Sequence, residues 1–352
     1  MRPNMKPPLS DLRPERIALI KPSALGDVVH TLPVLHALRQ RFPAACITWV
    51  INRSLEPLLA GHPDLDETLP FDRHGGLRAG VKLARELHRR RFDLVLDLQG
   101  LLRTGLMCAA TRAVRRVGLC SAREGARLFY SDVVQDDLKL HAVDRYWRVA
   151  NALGAGQWPK QFVLPIPDAA RQWVEETVGL RRFQLLDPPY IVVAPGSRWV
   201  TKRWPHFAEL VNRAQRRFGG TAILVGSGDE VALSHFIAAK ISGECLDLTG
   251  KTTLPQLAAL LAKADVVLAN DSGPLHLAAA LGRPVVAPYT CTEIARHGPY
   301  GQNGAVLTSV WCRGSYLKRC SRLECMAELT PDRLWAVLDE VLTRWASRCR
   351  SA

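Results

Sequence analysis

The first half of the chain repeats a pattern in which a short apolar run gives way to small or polar residues and then to apolar positions at helical spacing. The clearest example begins at Arg16 and reads RIALIKPSALGDVVHTLPVLHALRQRF, which predicts a strand, a loop and a helix. Apolar runs at 46–51, 67–71 and 94–98 predict further strands, and residues 77–91 predict a helix. Strands that alternate with helices predict a parallel sheet covered by helices.

The pattern restarts after VLPIPDAARQWVEETVGL and FQLLDPPY, a proline-rich stretch that predicts a linker flanking one helix. Beyond it, YIVVAPGS, TAILVGSGD, DVVLANDSG and RPVVAPY are apolar strands that lead into loops rich in Gly, Ser, Thr or Asp. Thr330 as N-cap and Pro331 at the first helical position predict a closing C-terminal helix. The sequence therefore predicts an α/β protein with two doubly wound, Rossmann-like halves, residues 1–180 and 181–352.

Composition indicates a soluble globular protein with anionic partners. The 352 residues include 47 lysines and arginines against 33 aspartates and glutamates, a net charge of +14. This surplus favours phospholipid headgroups, phosphorylated sugars or nucleic acid, without choosing among them. The nine scattered cysteines favour a reducing cytoplasm. No apolar run approaches the ~20 residues needed to span a bilayer, so any membrane contact is expected to be peripheral.

The sharpest local motif is VVLANDSGPLHLAAALG, in which a strand pattern passes through Asn270, Asp271, Ser272 and Gly273 directly into an apolar helix. The free N–H groups and the positive dipole end at such a helix start suit a pyrophosphate. His276, about one turn into the helix, could face the same ligand. The alternative is that Asp271 or Ser272 is a simple N-cap without a ligand and that His276 is structural.

A second loop of this kind, PGSRWVTKRWP, follows the strand YIVVA. Gly196 and Ser197 allow close backbone approach, and Lys202 and Arg203 can neutralise phosphate oxygens. The alternative is a solvated basic loop. Because two phosphate-type loops occur in one half, the sequence favours a diphosphate ligand there.

The segment GSGDE at 226–230 has a G-x-G without the third glycine. It is a poor dinucleotide fingerprint and argues against an NAD-dependent oxidoreductase. An acid just beyond a strand can accept hydrogen bonds from ribose hydroxyls, and either Glu230 or Asp229 fits that position. The alternative is an exposed loop acid.

The first half carries its own polar loops. KPSALGDVVHT places Gly26 and Asp27 where the first strand turns into a helix, so Asp27 is either a general base for a sugar hydroxyl or a helix cap. LDLQGLLRTG adds Gln99 and Arg103 at another strand end, which suggests a polar floor for an acceptor. Structural hydrogen bonding explains Asp97 in the same segment equally well.

Two further patterns are expected to carry no metal. Asp64 and Asp66 form a D-x-D, which some sugar transferases use to hold a metal, but PDLDET has the composition of a turn. Cys312, Cys320 and Cys325 include no C-x-x-C pair, so a zinc site is not expected.

Basic residues cluster at the end of the second predicted helix and beyond it. They include the run ELHRRRF and the arginines at 112, 115, 116, 123 and 127. They form either a basic face for an anionic acceptor or ordinary solvated helix faces.

Five ordered motifs carry a family resemblance: KPSALGDVVHTLP, DLQGLLRTG, PGSRWVTKRWP, NDSGPLHLAAALGRPVVAPY and GPYGQ. Over nearly the whole chain they resemble the ADP-heptose:lipopolysaccharide heptosyltransferases, in their inner-core form. The resemblance implies the GT-B fold, in which two Rossmann-like domains face each other across a cleft. It places the acceptor mainly on residues 1–180 and the donor on residues 181–352.

The resemblance also implies roles for individual residues. Asp27 matches the family's general base, and Lys202 matches a residue that acts on the departing diphosphate. Gly26, Gln99 and Arg103 are expected on the acceptor side. The matched donor-binding positions are Ser197, Lys202, Glu230, Asp271, Ser272, Gly273 and His276.

Residues and resemblance together predict an inverting heptose transfer from ADP-heptose to an anionic lipopolysaccharide precursor, independent of metal and cofactor. The expected acceptor is Kdo-lipid A or a heptosylated core. The protein is expected to be cytoplasmic and peripheral on the inner membrane, without a nucleic-acid partner, and the sequence defines no oligomeric state. The alternatives are a transferase for another nucleotide sugar, an NAD-dependent oxidoreductase and a non-catalytic nucleotide-binding protein.

Overall fold

The computed structural model describes residues 6–179 and 188–351, with side chains through residue 349. The chain divides into two compact units, Met1–Pro165 and Ile166–Ala352. The predicted boundary between residues 180 and 181 lies outside the described residues. The division falls earlier in the chain because the helix before that boundary packs against a helix of the second unit.

The first unit contains one six-stranded sheet in which all neighbouring strands are parallel. Its strands are β1 (Arg16–Ile20), β2 (Cys46–Asn52), β3 (Glu67–Phe71), β4 (Leu94–Asp97), β5 (Arg115–Leu119) and β6 (Asp132–Val134). Its helices are α1 (Leu25–Arg41), α2 (Gly76–Arg89), α3 (Leu102–Thr111) and α4 (Ala142–Ala152). The strand order is β3-β2-β1-β4-β5-β6, with α1 packed on α4 and α2 packed on α3.

The second unit repeats this architecture with a second six-stranded parallel sheet. Its strands are β7 (Tyr190–Ala194), β8 (Thr221–Leu224), β9 (Cys245–Asp247), β10 (Val266–Ala269), β11 (Val285–Tyr289) and β12 (Ala305–Leu307). Its helices are α5 (Asp168–Val178), α6 (Phe207–Phe218), α7 (Val231–Ala238), α8 (Leu254–Lys263), α9 (Gly273–Ala280), α10 (Ile294–His297), α11 (Glu324–Glu328) and α12 (Pro331–Ser351). The strand order is β12-β11-β10-β7-β8-β9.

The predicted strands form the centre of each sheet. The apolar runs of β4 and β10 are buried at every position, and those of β1 and β7 at all but the first. Strands buried on both faces read as continuous apolar runs, which is why these four are visible in the sequence. The predicted class of two doubly wound, parallel-sheet units is confirmed.

The predicted closing helix is α12, and it begins at Pro331 as expected. Leu334, Leu338 and Leu342 are fully buried at i, i+4 spacing within the core that also holds α6. Burial of a leucine side chain stabilises a fold by roughly 1.5–3 kcal/mol, so this one stripe fixes the helix on its unit.

Both sheets have a topological switch point at their centre. β1 lies between β2 and β4, and β7 lies between β8 and β10. Ile20 is in register with Asp97, and Ala194 with Ala269, so the central strands of each sheet end level. Open α/β sheets bind ligands beyond the carboxyl ends of strands at such points. The loops after β1 and β4, and after β7 and β10, are therefore the places where a site is expected.

Candidate functional site

The first switch point holds a buried lysine beneath a partly exposed aspartate. The Lys21 side chain is 3% exposed and the Asp27 side chain 39%, with 3.4 Å between Lys21 Nζ and Asp27 Oδ1. Lys21 donates to Tyr146 Oη at 2.7 Å and to the Leu98 carbonyl at 2.9 Å. Tyr146 in turn donates to Asp27 Oδ1 at 3.0 Å. The carboxylate is thus held from below by buried donors and remains accessible to solvent.

The charges of this group favour an ionised aspartate. Burial alone would raise the pKa of Asp27, but the charge of Lys21, the Ala24 N–H and the Tyr146 hydroxyl hold the pKa below its usual range. Burial would lower the pKa of Lys21, yet the charges of Asp27 and Tyr146 and the hydrogen bonds to both together outweigh it, and the pKa is raised. Asp27 Oδ2 also accepts from Ala24 N at 3.1 Å. One carboxylate oxygen of Asp27 therefore caps the start of α1, and the other contacts Tyr146 and Lys21.

The other acceptor-side residues lie at the same sheet edge. Gly26 is buried directly before Asp27. Gln99 reaches the loop after β1, where its Oε1 accepts from Ser23 N at 3.4 Å. Arg103 lies in the first turn of α3, and its buried Nε has no hydrogen-bond partner among the described residues. Within that part of the chain, no hydrogen bond or ion pair joins Arg103 to Asp27.

Asp97 takes the structural role that the sequence left open. It accepts from the N–H groups of Gln99 and Gly100 at 2.9 and 3.0 Å and from Tyr130 Oη at 2.7 Å. Burial raises its pKa. These bonds close the turn after β4 and position Gln99.

The second switch point holds a lysine and an aspartate with the burial reversed. Lys202 Nζ donates to Asp271 Oδ2 at 2.6 Å, and the two side chains are 14% and 6% exposed. Thr292 donates to the same oxygen at 2.6 Å, and His276 Nε2 lies 3.4 Å from Asp271 Oδ1. Here the carboxylate is the more deeply buried partner and the ammonium lies nearer to solvent.

The Asp271 carboxylate is fully engaged by its neighbours. Burial would raise its pKa, but hydrogen bonding to His276 and the charge of Lys202 hold the pKa well below its usual range. Asp271 is therefore ionised at neutral pH. Its contacts fix the positions of Lys202, Thr292 and His276.

The start of α9 does not have the side-chain cap that the sequence offered as an alternative. Ser272 occupies the N-cap position, yet no side-chain cap hydrogen bond is present there. Ser272 Oγ is buried and has no partner in the described chain. Since the first N–H groups of a helix lack acceptors within the helix, the N–H groups of Gly273 and Leu275 are donors beside an unused hydroxyl, while Pro274 between them has none.

A buried asparagine connects this helix start to the loop after β7. Asn270 is fully buried, donates to the Pro195 carbonyl at 2.6 Å and accepts from Trp204 N at 3.2 Å. Ser197 is buried in the same loop, and its carbonyl accepts from Arg203 Nε at 2.7 Å. Arg203 therefore supports the shape of the loop, and Lys202 is its inward-facing cation.

Glu230 lies against two of the glycine-containing loops. A β-carbon at Gly196 would overlap the Glu230 carboxylate, and one at Gly226 would lie 2.8 Å from Glu230 Oε2. The same oxygen accepts from Ser227 N at 2.8 Å. Asp229 is exposed to solvent, so Glu230 is the acid that the fold brings to the ends of β7 and β8.

Residues 81–326 match glycosyltransferase family 9 (heptosyltransferase). This chain belongs to that family. It is 30% identical over 329 residues to lipopolysaccharide heptosyltransferase 1 of Pseudomonas aeruginosa, which covers 87% of each chain. It is 28% identical over 301 residues to the lipopolysaccharide core heptosyltransferase OpsX of Haemophilus influenzae, which covers 83% of this chain and 84% of that one.

Among solved structures, the E. coli heptosyltransferase WaaC with ADP has the same fold, with a TM-score of 0.72 and 24% identity over 93% of this chain and 99% of that one. The predicted family and the GT-B class are therefore confirmed. The chain is a glycosyltransferase of the heptosyltransferase family of lipopolysaccharide core biosynthesis. Family membership decides against the oxidoreductase and the non-catalytic alternatives.

Three residues of this glycosyltransferase's two switch points were not singled out in the sequence. Lys21 directly follows β1 within the KPSALGD motif, so its position beside Asp27 was a usable signal. Tyr146 lies in α4 and has the appearance of a core aromatic. Thr292 lies in the loop after β11, where no periodic pattern marks it.

The D-x-D of this heptosyltransferase family member is occupied by structural bonds, as the turn interpretation expects. Asp64 Oδ2 lies 2.9 Å from His36 Nδ1, and Asp66 accepts from Arg39 and from Ile47 N, the latter at 2.7 Å. Over residues 6–179 and 188–351, no three His, Cys, Asp or Glu side chains are grouped as metal ligands.

Proposed function

We propose that this glycosyltransferase moves the heptose of ADP-heptose onto an anionic acceptor of the lipopolysaccharide inner core. Asp27 is the general base and Lys202 acts on the departing diphosphate. The observation that carries the proposal is the opposite burial of the two lysine–aspartate pairs. The more exposed partner is the anion Asp27 in the first unit and the cation Lys202 in the second.

Several groups of the second unit support a nucleoside diphosphate there. Lys202 supplies a cation, and Ser272 Oγ together with the first N–H groups of α9 supplies hydrogen-bond donors. Such donors stabilise the charge that develops on a leaving diphosphate. We propose that Glu230 accepts hydrogen bonds from the ribose hydroxyls. The relative WaaC, which shares this fold, was solved with ADP.

In this proposal Asp271 does not contact the donor directly. A buried carboxylate would repel phosphate oxygens, and Asp271 already binds Lys202, Thr292 and His276. We propose that Asp271 positions Lys202 and His276 toward the donor. Ser197 and Gly273 contribute close backbone approach.

In the proposed chemical step one proton is transferred, one bond forms and one bond breaks. Asp27 takes the proton of the acceptor hydroxyl while that oxygen bonds to the anomeric carbon of the heptose. The bond from this carbon to the diphosphate breaks, ADP leaves with the electron pair, and the configuration inverts. Because its pKa is lowered, Asp27 is a weak base, so the proton moves late, when the attacking oxygen has become acidic. General-base help of this kind is worth roughly 10²–10⁴ in rate.

The acceptor side of the proposal rests on charge and placement. Inner-core acceptors carry carboxylates and phosphates, and the chain has a net charge of +14. Arg103 offers an Nε that no described residue binds, and Gln99 lies at the loop that carries Asp27. We propose Kdo-lipid A as the acceptor, with the first heptose added to its Kdo sugar.

The test is transfer with defined donors and acceptors. The purified protein is incubated with ADP-heptose and either Kdo-lipid A or its monoheptosylated product, and mass spectrometry follows the added heptose. We expect transfer to Kdo-lipid A with equal release of ADP, and an inverted anomeric centre by NMR. Transfer to the heptosylated acceptor alone would assign a later addition. Transfer only from ADP-glucose or a UDP-sugar would support the alternative donor and overturn the proposal.

A further inference from the structure

One helical face of the first unit exposes a group of large apolar side chains. The exposed fractions are 86% for Leu77, 86% for Leu128 and 52% for Leu106. α2 packs beside α3, and α3 packs on the short turn Ala126–Phe129, so these side chains belong to neighbouring elements. We call the group the leucine face; its members are Leu77, Val81, Leu102, Leu106 and Leu128.

The leucine face follows helical spacing on both helices. Leu77 and Val81 are four residues apart on α2, and Leu102 and Leu106 are four apart on α3. α2 already buries Leu83 and Leu87 against the core of its unit. The exposed pairs are therefore a second apolar stripe, beyond what packing on the sheet requires. Exposed apolar residues grouped on neighbouring elements in this way are typical of interaction surfaces.

Cations surround these apolar side chains. Six exposed basic residues lie on α2, on the loop before it and around the turn before β6: Arg73, Arg78, Lys82, Arg85, Arg123 and Arg127. Within the described part of the chain, none of the six forms an ion pair. Other arginines of the same region are used internally, since Arg115 pairs with Asp132 and Arg116 donates to the Phe129 carbonyl at 2.7 Å. Exposed cations without an ion pair thus accompany the leucine face on α2 and beside the turn Ala126–Phe129.

The leucine face borders the sheet edge that carries Asp27. Leu77 and Leu102 lie in the first turns of α2 and α3, which follow the carboxyl ends of β3 and β4. The turn with Leu128 follows β5. Asp27 lies beyond the carboxyl end of β1, in the same sheet.

None of the helices that the structure describes is long and apolar enough to cross a bilayer. We propose that the leucine face docks on the surface of a bilayer that contains anionic lipids. The leucines enter the boundary between headgroups and acyl chains, and the surrounding cations pair with headgroup phosphates. Docking in this way brings the edge with Asp27 to a lipid-linked acceptor, a consequence that rests on the proposed function.

Vesicle binding by the full-length protein tests the surface without substrate. Wild type is sedimented with vesicles of phosphatidylethanolamine and phosphatidylglycerol, and with vesicles of phosphatidylcholine alone. We expect binding to the anionic vesicles only, weakened when ionic strength rises and the Debye length falls from about 10 Å at 0.1 M to about 3 Å at 1 M. The variant Leu77→Ser/Leu106→Ser/Leu128→Ser should bind roughly tenfold more weakly or worse.

Matched control variants show whether vesicle binding depends on the leucine face or on any exposed residue. Val114 is 74% exposed and lies beyond the opposite end of α3, so Val114→Ser should bind like wild type. A charge variant, Arg78→Gln/Lys82→Gln, should lose about fivefold per cation, because each basic residue near an anionic surface is worth ~1 kcal/mol. Arg216→Gln/Lys263→Gln, on exposed cations of the second unit, should lose much less. The charge variant also tests the proposal if the leucine variant fails to fold.

Two outcomes would overturn the proposal that the leucine face docks on a bilayer. The first is equal vesicle binding by wild type and both variants. The second is a vesicle-free change of oligomeric state in the leucine variant by analytical ultracentrifugation, which would make the face a contact between copies of the chain. The leucine variant should turn over a deacylated, water-soluble acceptor normally and lose turnover on vesicle-embedded acceptor. Absent turnover of wild type on both acceptors would instead overturn the proposed function and leave the vesicle result standing.

Discussion

The two units of this glycosyltransferase share one sheet topology but present opposite charges at its centre. In both, three strands extend from each side of the switch point. In both, a lysine and an aspartate pair at the carboxyl edge, at 3.4 Å in the first unit and 2.6 Å in the second. The first unit exposes the aspartate, and the second buries it.

The difference follows from where each partner is attached. Lys21 directly follows β1, at the floor of the first site, and Asp27 is carried above it by α1. Asp271 lies at the end of β10, at the floor of the second site, and Lys202 reaches it from the loop after β7. The residue nearer the strand end is the buried partner in each case. One scaffold thus yields an anionic or a cationic site depending on which charge is placed at the floor.

The largest expected effect is on the exposed anion. Asp27→Asn should lower kcat by about 10²–10⁴, since an amide cannot accept the proton. ADP-heptose affinity and melting temperature should change little, because the amide oxygen of asparagine can still accept from Ala24 N. Turnover at saturating acceptor, calorimetry with the donor and thermal melting check this. Turnover near wild type in the folded variant would remove Asp27 from the mechanism.

Lys202, the less deeply buried partner of its pair, should control donor affinity. Lys202→Ala should weaken ADP binding by roughly 10- to 100-fold, the loss expected for a hydrogen bond to a charged group. The matched variant is Lys21→Met, which removes the buried lysine of the other unit and should leave ADP binding unchanged. Isothermal titration of both variants decides the comparison. Equal losses would show that the two pairs do not differ in function.

The buried carboxylate should matter most for stability. Asp271→Asn should lower the free energy of unfolding by about 3–5 kcal/mol at neutral pH, because it leaves Lys202 without its buried partner. The folded pKa of Asp271 lies below the usual value of 3.8, so its contribution is full above that pH and is lost as pH falls through the folded pKa. The difference in free energy of unfolding between wild type and Asp271→Asn should therefore become smaller in acid.

Denaturant titrations near neutrality and near pH 3 measure this narrowing. Asp27→Asn is the matched variant and should cost less, because Lys21 keeps its hydrogen bonds to Tyr146 Oη and the Leu98 carbonyl. A difference in free energy of unfolding that does not change with pH would contradict the lowered pKa of Asp271.

Removal of the buried lysine in the first unit should shift a pH profile. The charge of Lys21 lowers the pKa of Asp27, so Lys21→Met should raise it. The acid limb of kcat/KM should then move to higher pH, while the limb of Lys202→Ala should stay in place. Rate measurements across the acid range, with both variants folded by circular dichroism, test the direction. An unmoved limb would separate Lys21 from the base.

The smallest expected effect is that of chelation. Lys202 and the start of α9 are proposed to balance the leaving charge, and Asp64 and Asp66 are held by α1 side chains and a backbone N–H. EDTA should therefore leave turnover unchanged. Loss of turnover, with recovery on added Mg²⁺ or Mn²⁺, would show that a cation contributes to the donor site.

The sequence predicted those parts of the molecule whose cause is local. β7 and β10 are continuous apolar runs followed by small and polar residues, so both the strands and the loops after them could be located. β9 and β12 have three residues each and are only half-buried, and β5 begins with two arginines, so none has the pattern of a buried strand.

The partners within each site could not be predicted, because they come from distant parts of the chain. Lys21 and Tyr146 are 125 positions apart, and Lys202 and Asp271 are 69 apart. The motifs gave the place of Asp271 but not its burial. Only the folded arrangement distinguishes a carboxylate that faces a ligand from one that holds a lysine.

Asn270 gives the donor side a property that no single loop has. Its buried amide binds the Pro195 carbonyl and Trp204 N, so it couples the loop after β7 to the end of β10 through hydrogen bonds. Strain introduced in either segment is then shared by both. The energetic effects of substitutions in the two segments should therefore fail to add, as is usual for residues that share a hydrogen-bond network. Redesign of this enzyme for another nucleotide would have to change the two segments together.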